Sequence, residues 1–186
     1  MRKRDPLKTN MIRTERLVLL PATVEHFEAA KKGNRALQSS LGFEVPASWP
    51  PDLLDNDALQ FTIDRLAEDE SQSEWLMYFV CLCALGEPRL LVGGAGYKGS
   101  PTNGVVEIGY GIVGDHQRNG YATETTLGLV RNAFLNASVN RVIAETLPFL
   151  EPSIGVLRKA GFEYIGDGFE EGVVRFELTR EAFSGT

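Results

Sequence analysis

The segment "VVEIGYGIVGDHQRNGYATETTLGLV", residues 105–130, places a polar, glycine-containing loop between an apolar run and an apolar stripe at helical spacing. The run "VVEIGYGIV" predicts a β-strand, and Leu127, Val130 and Phe134 mark the inward face of a helix over residues 120–137. A loop that enters a helix in this way directs free N–H groups and the positive end of the helix dipole at one point. The segment therefore predicts an anion-binding site.

Two familiar phosphate-binding motifs do not describe this loop. A P-loop requires G-x-x-x-x-G-K-[ST], and no Lys-Ser or Lys-Thr pair follows Gly120. A dinucleotide fingerprint requires G-x-G-x-x-G after the first strand of a parallel unit, and "GDHQRNGYA" does not supply it. The anion site must therefore belong to another class of protein.

The composition argues against several classes of function. The chain has 186 residues, of which 43% are apolar, enough for one domain with a substantial core. The formal net charge of −6 disfavours a surface that follows the phosphates of a nucleic acid. No apolar run reaches the roughly 18 residues of a membrane span. We therefore expect neither a nucleic acid nor a membrane as a partner.

The termini and the rare residues indicate a cytoplasmic protein. The first ten residues, MRKRDPLKTN, are basic but precede no apolar region, so we expect a short mobile extension rather than a secretory signal, followed by a single domain over residues 11–186. The two cysteines, both in "WLMYFVCLCAL", are expected to be small buried side chains. With only His26 and His116 as histidines, we expect no metal site. A reducing cytoplasm fits these features.

The order of predicted elements is a strand, two helices, three strands, a helix, a strand, a helix and a strand. Thr23 is expected to cap the first helix and Gly33 to end it, and a rigid aromatic loop is expected over residues 41–57. Turn signals at "GEP" and "SPTNG" separate the three central strands, which predicts an antiparallel meander. The pattern favours an α/β or α+β fold.

Three stretches of the chain resemble one enzyme family. The loop Gln117-Arg118-Asn119-Gly120-Tyr121-Ala122, entered from "EIGYGI" and leaving into "YATE", resembles the pyrophosphate loop of the GCN5-related N-acetyltransferases (GNAT). The opening "IRTERLVLLPAT" and the later "AETLPFLEPSIGVLRKAGF" are similar to the branch that contains RimJ and RimL, which acetylate ribosomal-protein N-termini. The resemblance covers residues 11–183.

The resemblance implies a fold and a cofactor site. It implies a mixed, mostly antiparallel sheet with helices on both faces, acetyl-CoA as the acyl donor, and no metal. Backbone N–H groups of residues 117–122 would bind the CoA pyrophosphate, with Gly120 and Ala122 small so that the phosphates can approach. The pantetheine arm would lie between strands 107–113 and 141–146 and pair with Ile112 and Val113.

Acetyl transfer to an amine needs a group that removes a proton from the ammonium. Glu107, on the strand beside the thioester, is one candidate, acting directly or through a water; an ion pair or a solvated residue is the alternative. Glu145, on the neighbouring strand, is a second candidate that faces either the acceptor or solvent. Trp49 and the prolines near it are expected to line the acceptor pocket, to pack in the core, or both.

The departing thiolate needs a proton donor. Many family members have a tyrosine at the position of Leu157, and the RimJ and RimL branch has an asparagine at the position of Leu150 with a serine three residues later. Ser153 keeps that serine position and is therefore expected to contact the CoA sulfur. A hydroxyl that caps the following helix is the alternative for Ser153.

Two functions follow from the resemblance. The first is an N-acetyltransferase that moves the acetyl group of acetyl-CoA directly to a primary amine by general acid–base catalysis, the acceptor being a protein N-terminus or a small molecule. The second is a CoA-binding sensor or interaction module without catalysis, which the leucines at positions 150 and 157 keep open. The sequence is compatible with a monomer or a homodimer.

Overall fold

The computed structural model describes residues 11–184 except residues 53, 55, 85 and 86, so the extension predicted at residues 1–10 lies outside the described residues. The strands are β1 (Ile12–Arg13), β2 (Leu17–Pro21), β3 (Met77–Ala84), β4 (Glu87–Tyr97), β5 (Val105–Ile112), β6 (Arg141–Thr146), β7 (Glu163–Asp167) and β8 (Val174–Thr179). The α-helices are α1 (Val24–Lys31), α2 (Asn34–Leu41), α3 (Asn56–Glu68), α4 (Tyr121–Leu135), α5 (Glu151–Lys159) and α6 (Arg180–Ser184), with 3₁₀-helices at Glu70–Trp75 and Gly114–His116.

These eight strands form one mixed sheet in the order β1-β2-β3-β4-β5-β6-β8-β7. Every neighbouring pair is antiparallel except β5 and β6, which run parallel. The predicted meander of three central strands, β3 to β5, is confirmed. Parallel neighbours need a crossover, and here α4 supplies it between β5 and β6.

Helices cover both faces of the sheet and create two apolar cores. On one face α4 and α5 pack through Leu129, Val130 and Leu157 against β5 and β6. On the other face α1, α2 and α3 contribute residues such as Phe27 and Leu37 to a second core. The α/β architecture with a mostly antiparallel sheet and helices on both faces is therefore as expected.

The first helix begins and ends as predicted, and a second helix follows it directly. Thr23 is its N-cap, and the side chains and backbones of Thr23 and His26 bond reciprocally in a capping box. Gly33 follows α1 and is also the N-cap of α2. The sequence pattern did not predict this second helix. Gly42, with φ of +76°, ends that second helix.

The structure also contains three short elements that the sequence pattern did not predict. They are the two-residue strand β1, the edge strand β7 and the terminal helix α6. Strand β7 is exposed along almost its whole length, so it lacks the alternation that marks a half-buried strand. Elements as short as these carry too few apolar residues for a periodicity to reveal them.

Two further properties hold for the described part of the chain. No helix in it is long and apolar enough to cross a membrane. No group of three or more His, Cys, Asp or Glu side chains in it is arranged to hold a metal ion. Cys81, which is buried, and Cys83 are not joined to each other in a disulfide bond.

Gly96 and Gly109 are direct partners on β4 and β5, but only Gly96 lacks room for a side chain. A Cβ at Gly96 would lie 2.2 Å from the carbonyl oxygen of Leu76, whereas a Cβ at Gly109 would have no atom of the described residues within 4 Å. Gly96→Ala should therefore lower the free energy of unfolding by about 2–3 kcal/mol, and Gly109→Ala should change it by less than about 1 kcal/mol. Urea denaturation of both variants measures this difference; equal losses would contradict the packing described here.

Candidate active site

Strands β5 and β6 separate partway along the sheet. Their parallel pairing runs from Val105 opposite Arg141 to Ile108 opposite Ala144 and ends there. Beyond that point β5 continues to Ile112 against β4, and β6 continues to Thr146 against β8. The two strands therefore diverge into a gap that opens toward their carboxyl ends.

The edge of β5 that faces this gap carries backbone groups that pair with no strand of the described residues. Glu107 O accepts from Lys98 N–H, and Val113 N–H donates to Val92 O at 3.0 Å, so the odd-numbered residues of β5 bond to β4. Because bonded sides alternate along an antiparallel strand, the backbone groups of Tyr110 and Ile112 face the gap. The N–H groups of these two residues are thus placed to pair with an extended molecule lying between the strands.

The backbone of Val113, which the family resemblance assigned to the same pairing, is already bonded within the chain. Besides the bond from its N–H to Val92, its carbonyl accepts from His116 N–H at 2.9 Å. Ile112 keeps its N–H toward the gap, while its carbonyl accepts from Gln117 Nε2 at 3.0 Å. The geometry therefore favours Ile112 and Tyr110 over Val113 as the backbone partners of a bound chain.

The loop that follows β5 presents free amides at the start of α4. Within the described part of the chain, the N–H groups of Arg118, Asn119 and Gly120 donate to no backbone or side-chain acceptor. Arg118 and Gly120 both have left-handed backbones, with φ of +61° and +81°. Turns of this kind direct successive amides toward one point, which is the arrangement that binds phosphate.

The side chains of Gln117 and Asn119 hold this loop in shape. Asn119 Nδ2 donates to the carbonyls of His116 and Gln117, at 3.1 and 3.0 Å. The Gln117 N–H donates to Gly114 O at 3.2 Å, so that amide is not among the free ones. Of the residues predicted to bind the pyrophosphate, Gln117 and Asn119 therefore place their side chains within the loop rather than toward a ligand.

Arg16 ties the same loop to the start of β2. Its Nη1 donates to Asn119 O at 3.0 Å, its Nε contacts Glu124 Oε2 at 2.7 Å, and its guanidinium lies 4.7 Å from the centre of the Tyr121 ring. Burial raises the pKa of Glu124, but hydrogen bonds from Thr14 and Arg16 and the charge of Arg16 together hold it below its usual value. Sequence reasoning missed Arg16, although "IRTERL" contains it.

Glu107 lies on the other face of the sheet in an ion pair. Its Oε1 contacts the ammonium of Lys98, and its side chain is about one-fifth exposed, at 21%. The ion pair that the sequence left as an alternative is therefore present. The contact joins the Lys98 ammonium to Oε1, one of the two carboxylate oxygens of Glu107.

An opening lies beside Glu107 on this face. A methyl group on Gly109, which follows on the same side of β5, would have no atom of the described residues within 4 Å. A methyl group on Gly111 would lie 3.3 Å from Pro51. Trp49 is buried, with 6% of its surface exposed, and its ring centre is 5.7 Å from that of Phe79, so it packs in the core. Among the described residues, none fills the space over Gly109, which lies on the same face of β5 as Glu107 and Gly111.

Glu145 accepts three hydrogen bonds, one of which comes from the turn between β7 and β8. Its Oε1 accepts from Arg175 Nε and from Phe169 N–H, each at 2.8 Å, and also from Arg175 Nη2. Burial raises the pKa of Glu145, but these hydrogen bonds and the charges of Arg175 and Lys98 lower it below its usual value. A carboxylate stabilised in this way is a poor base, so the geometry disfavours Glu145 as the group that deprotonates an amine.

Ser153 lies within hydrogen-bond distance of Tyr110, a residue that the sequence analysis did not identify. It is the third residue of α5, where Leu150 is the N-cap and no side chain caps the first turn, so the helix-cap alternative for Ser153 is wrong. The Tyr110 hydroxyl lies 3.2 Å from Ser153 O and 3.3 Å from Ser153 Oγ. Burial raises the pKa of Tyr110 to about 12, although the Ser153 hydrogen bond acts in the opposite direction.

Comparison with known proteins identifies the family. A family model described as the acetyltransferase (GNAT) domain matches residues 16–163. The chain therefore belongs to the GNAT family of acetyltransferases. It is an acetyl-CoA-dependent acetyltransferase, and the transfer is from acetyl-CoA to an amine. The unpaired edge of β5 and the free amides of the loop after it suit an extended acyl donor that carries phosphates.

Individual relatives agree with this assignment. The uncharacterized N-acetyltransferase YjdG of Bacillus subtilis (strain 168) is 27% identical over 154 residues, which cover 82% of this chain and 89% of YjdG. A putative ribosomal-protein-serine acetyltransferase from Vibrio cholerae has the same fold, with a TM-score of 0.62 and 20% identity over 91% of this chain and 97% of its own. The aminoglycoside acetyltransferase AAC(6')-Ib in complex with coenzyme A gives a TM-score of 0.60 and 21% identity over 91% and 98%.

The bonds to Glu145 make the stability of the fold depend on pH. Because the folded-state pKa is below the usual value of 4.5, the stabilisation is present above pH 4.5 and is lost as the pH falls through the lower folded-state pKa. Glu145→Gln should therefore flatten the acid-side decline of the urea midpoint relative to the unaltered chain. Glu163→Gln, at an exposed position of β7, is the control and should leave that decline unchanged; a decline that is the same in all three proteins would contradict the role of Glu145.

Proposed function

We propose that the chain transfers acetyl directly from acetyl-CoA to a primary amine, which is a protein N-terminus or a small-molecule amine. The observation that carries this proposal is the separation of β5 from β6 after Ile108, with free loop amides at the open end of the gap and open space over Gly109. An extended donor bound between the strands would have its phosphates at the loop and its thioester near the point where the strands separate. The acceptor would reach the thioester from the side of Gly109.

The donor-binding residues follow from the same geometry. The amides of Arg118, Asn119 and Gly120 would bind the pyrophosphate, with those of Tyr121 and Ala122 at the start of α4 behind them. The Ile112 N–H would pair with the pantetheine arm, and Ser153 would contact the sulfur. The Arg118 side chain is exposed and would therefore be able to reach a phosphate of the bound donor.

Glu107 is the proposed base. In the transfer, the amine nitrogen bonds to the carbonyl carbon, the carbon–sulfur bond breaks, and the nitrogen loses a proton. Glu107 borders the open space over Gly109 and is placed to take that proton directly or through a water. Glu145 is not proposed for this role, because its Oε1 already accepts from Arg175 and Phe169.

A CoA-binding module without catalysis is the second candidate. The observation in its favour is that Leu150 and Leu157 occupy the positions of two polar residues of the family, and Leu157 is completely buried. Such a module would bind CoA at the same loop but would transfer acetyl to no acceptor. Turnover therefore separates the two proposals, and binding does not.

The proposed binding of CoA by the loop can be tested by substituting two glycines that have the same left-handed backbone conformation. Gly120 has φ of +81° at the proposed pyrophosphate site, and Gly172 has φ of +85° in the turn before β8. Gly120→Ala should weaken CoA binding at least about tenfold, because strain on the loop and a new methyl group both disturb the amides. Gly172→Ala carries the same strain elsewhere and should leave affinity unchanged in calorimetry. Equal affinities in both variants would show that CoA does not bind this loop.

The base can be tested by altering each side of its ion pair. Glu107→Gln should lower kcat about 100-fold, because general base catalysis is worth at least that much. Lys98→Met removes the partner but keeps the carboxylate, and should retain kcat within about tenfold. Free-thiol release from acetyl-CoA, with N-terminal peptides and small amines as acceptors, measures both variants. An equal loss of kcat in the two variants would limit the role of Glu107 to the ion pair. If the unaltered protein acetylates none of the acceptors, the binding module is favoured.

A further inference from the structure

Tyr110 joins the two sides of the gap. Its backbone lies on β5 two residues beyond the last pair with β6, and its hydroxyl reaches Ser153 near the start of α5. Helix α5 follows β6 after four residues, so its first turn lies at the carboxyl end of that strand. The contact between Tyr110 and Ser153 therefore spans the gap near its closed end.

The position of this contact along β5 determines which part of a donor it would meet. The proposed pyrophosphate site begins after Gln117, beyond the carboxyl end of β5. A donor that runs from there into the gap passes Ile112 first and then Tyr110, and its sulfur lies at the inner end of the chain. The inference rests on that proposed placement of acetyl-CoA.

The two hydroxyls can form a chain of hydrogen bonds. Ser153 Oγ is 3.3 Å from the Tyr110 oxygen and either atom can donate, while Ser153 O is a second acceptor for Tyr110 at 3.2 Å. When the Tyr110 O–H donates to Ser153 Oγ, the Ser153 O–H is left to donate to a third atom. Successive hydrogen bonds of this kind strengthen one another in a buried setting.

We propose that Tyr110 is a positioning residue that orients the Ser153 hydroxyl toward the sulfur of the donor. As the carbon–sulfur bond breaks, the sulfur takes the electron pair of that bond and becomes a thiolate, and Ser153 O–H donates a hydrogen bond to it. Tyr110 donates to Ser153 Oγ and keeps its proton, and the thiolate is later protonated from solvent. The positive end of the α5 dipole favours the same negative charge.

Tyr110 is suited to donate rather than to ionise. Its ring is packed against the core formed with α4 and α5, and burial keeps its pKa at about 12, well above that of a thiol. It therefore remains a hydroxyl over the whole range in which a bound thiol titrates. When Tyr110 donates to Ser153 Oγ, the orientation of the Ser153 hydroxyl needs no water.

The test uses free CoA bound to the protein, because it needs no acceptor. A hydrogen bond to the thiolate lowers the pKa of the bound CoA thiol, which is read from the ultraviolet absorbance of the thiolate. Ser153→Ala should raise that pKa by about one unit, and Tyr110→Phe should raise it by about half a unit or more. The double variant should match Ser153→Ala, because Tyr110 acts through Ser153.

Tyr97→Phe is the matched control. It removes a buried tyrosine hydroxyl that accepts from Asn132 and donates to Leu129 O, away from the gap. It should alter thermal stability at least as much as Tyr110→Phe does and should leave the pKa of the bound thiol unchanged. This comparison separates an effect on the thiol from a general loosening of the core.

The outcomes distinguish this inference from the proposed function. The inference, but not the proposed function, would be overturned by either of two results. The first is a thiol pKa that is the same in Tyr110→Phe and in the unaltered protein. The second is a Tyr110→Phe shift in the thiol pKa that persists in full in the Ser153→Ala background. CoA affinity that is insensitive to Gly120→Ala would overturn the proposed donor placement and the inference with it. A shift in Tyr110→Phe that disappears in the Ser153→Ala background supports the hydrogen-bonded pair.

Discussion

Strands β5 and β6 hydrogen-bond to each other only as far as Ile108 and Ala144, and the rest of the site depends on that separation. A sheet whose two central strands diverge leaves backbone groups unpaired inside the protein, and such groups are costly unless a partner satisfies them. Among the described residues, the Tyr110 backbone groups and the Ile112 N–H are left without a strand partner, whereas the Ile112 carbonyl accepts from Gln117 Nε2. They lie at the end of β5 that leads directly into the loop of free amides. On the proposed placement of acetyl-CoA, backbone geometry rather than a cluster of reactive side chains therefore defines the donor site.

The separation requires that the surrounding structure hold both strands apart. Strand β5 is fixed by β4 along most of its length, and β6 is fixed by β8 to its last residue. At the open end Arg16 joins the start of β2 to the loop and to α4 through Asn119 and Glu124. At the closed end the contact between Tyr110 and Ser153 spans the gap. Each strand is thus supported from its outer side, and the site lies between them.

The sequence predicts the parts of this site that depend on local pattern. The strand, the glycine loop and the helix of residues 105–130 were predicted because apolar periodicity and glycine position are local properties. The roles of Val113, Gln117 and Glu145 were not predictable, since each depends on a partner such as Val92 or Arg175 that local pattern does not reveal. Tyr110 was missed for the same reason, because nothing local shows that its hydroxyl reaches Ser153.

Different segments of the chain cover the two faces of the sheet. On the proposed assignment, one set of segments binds the donor and the other binds the acceptor. The loop, Tyr110 and Ser153 belong with α4 and α5, whereas Pro51 over Gly111 belongs to the excursion between β2 and β3 that also contains α1, α2 and α3. On the proposed assignment, that excursion shapes the acceptor side alone. Related chains can therefore diverge in residues 22–76 and adopt new amines while inheriting an unaltered donor site.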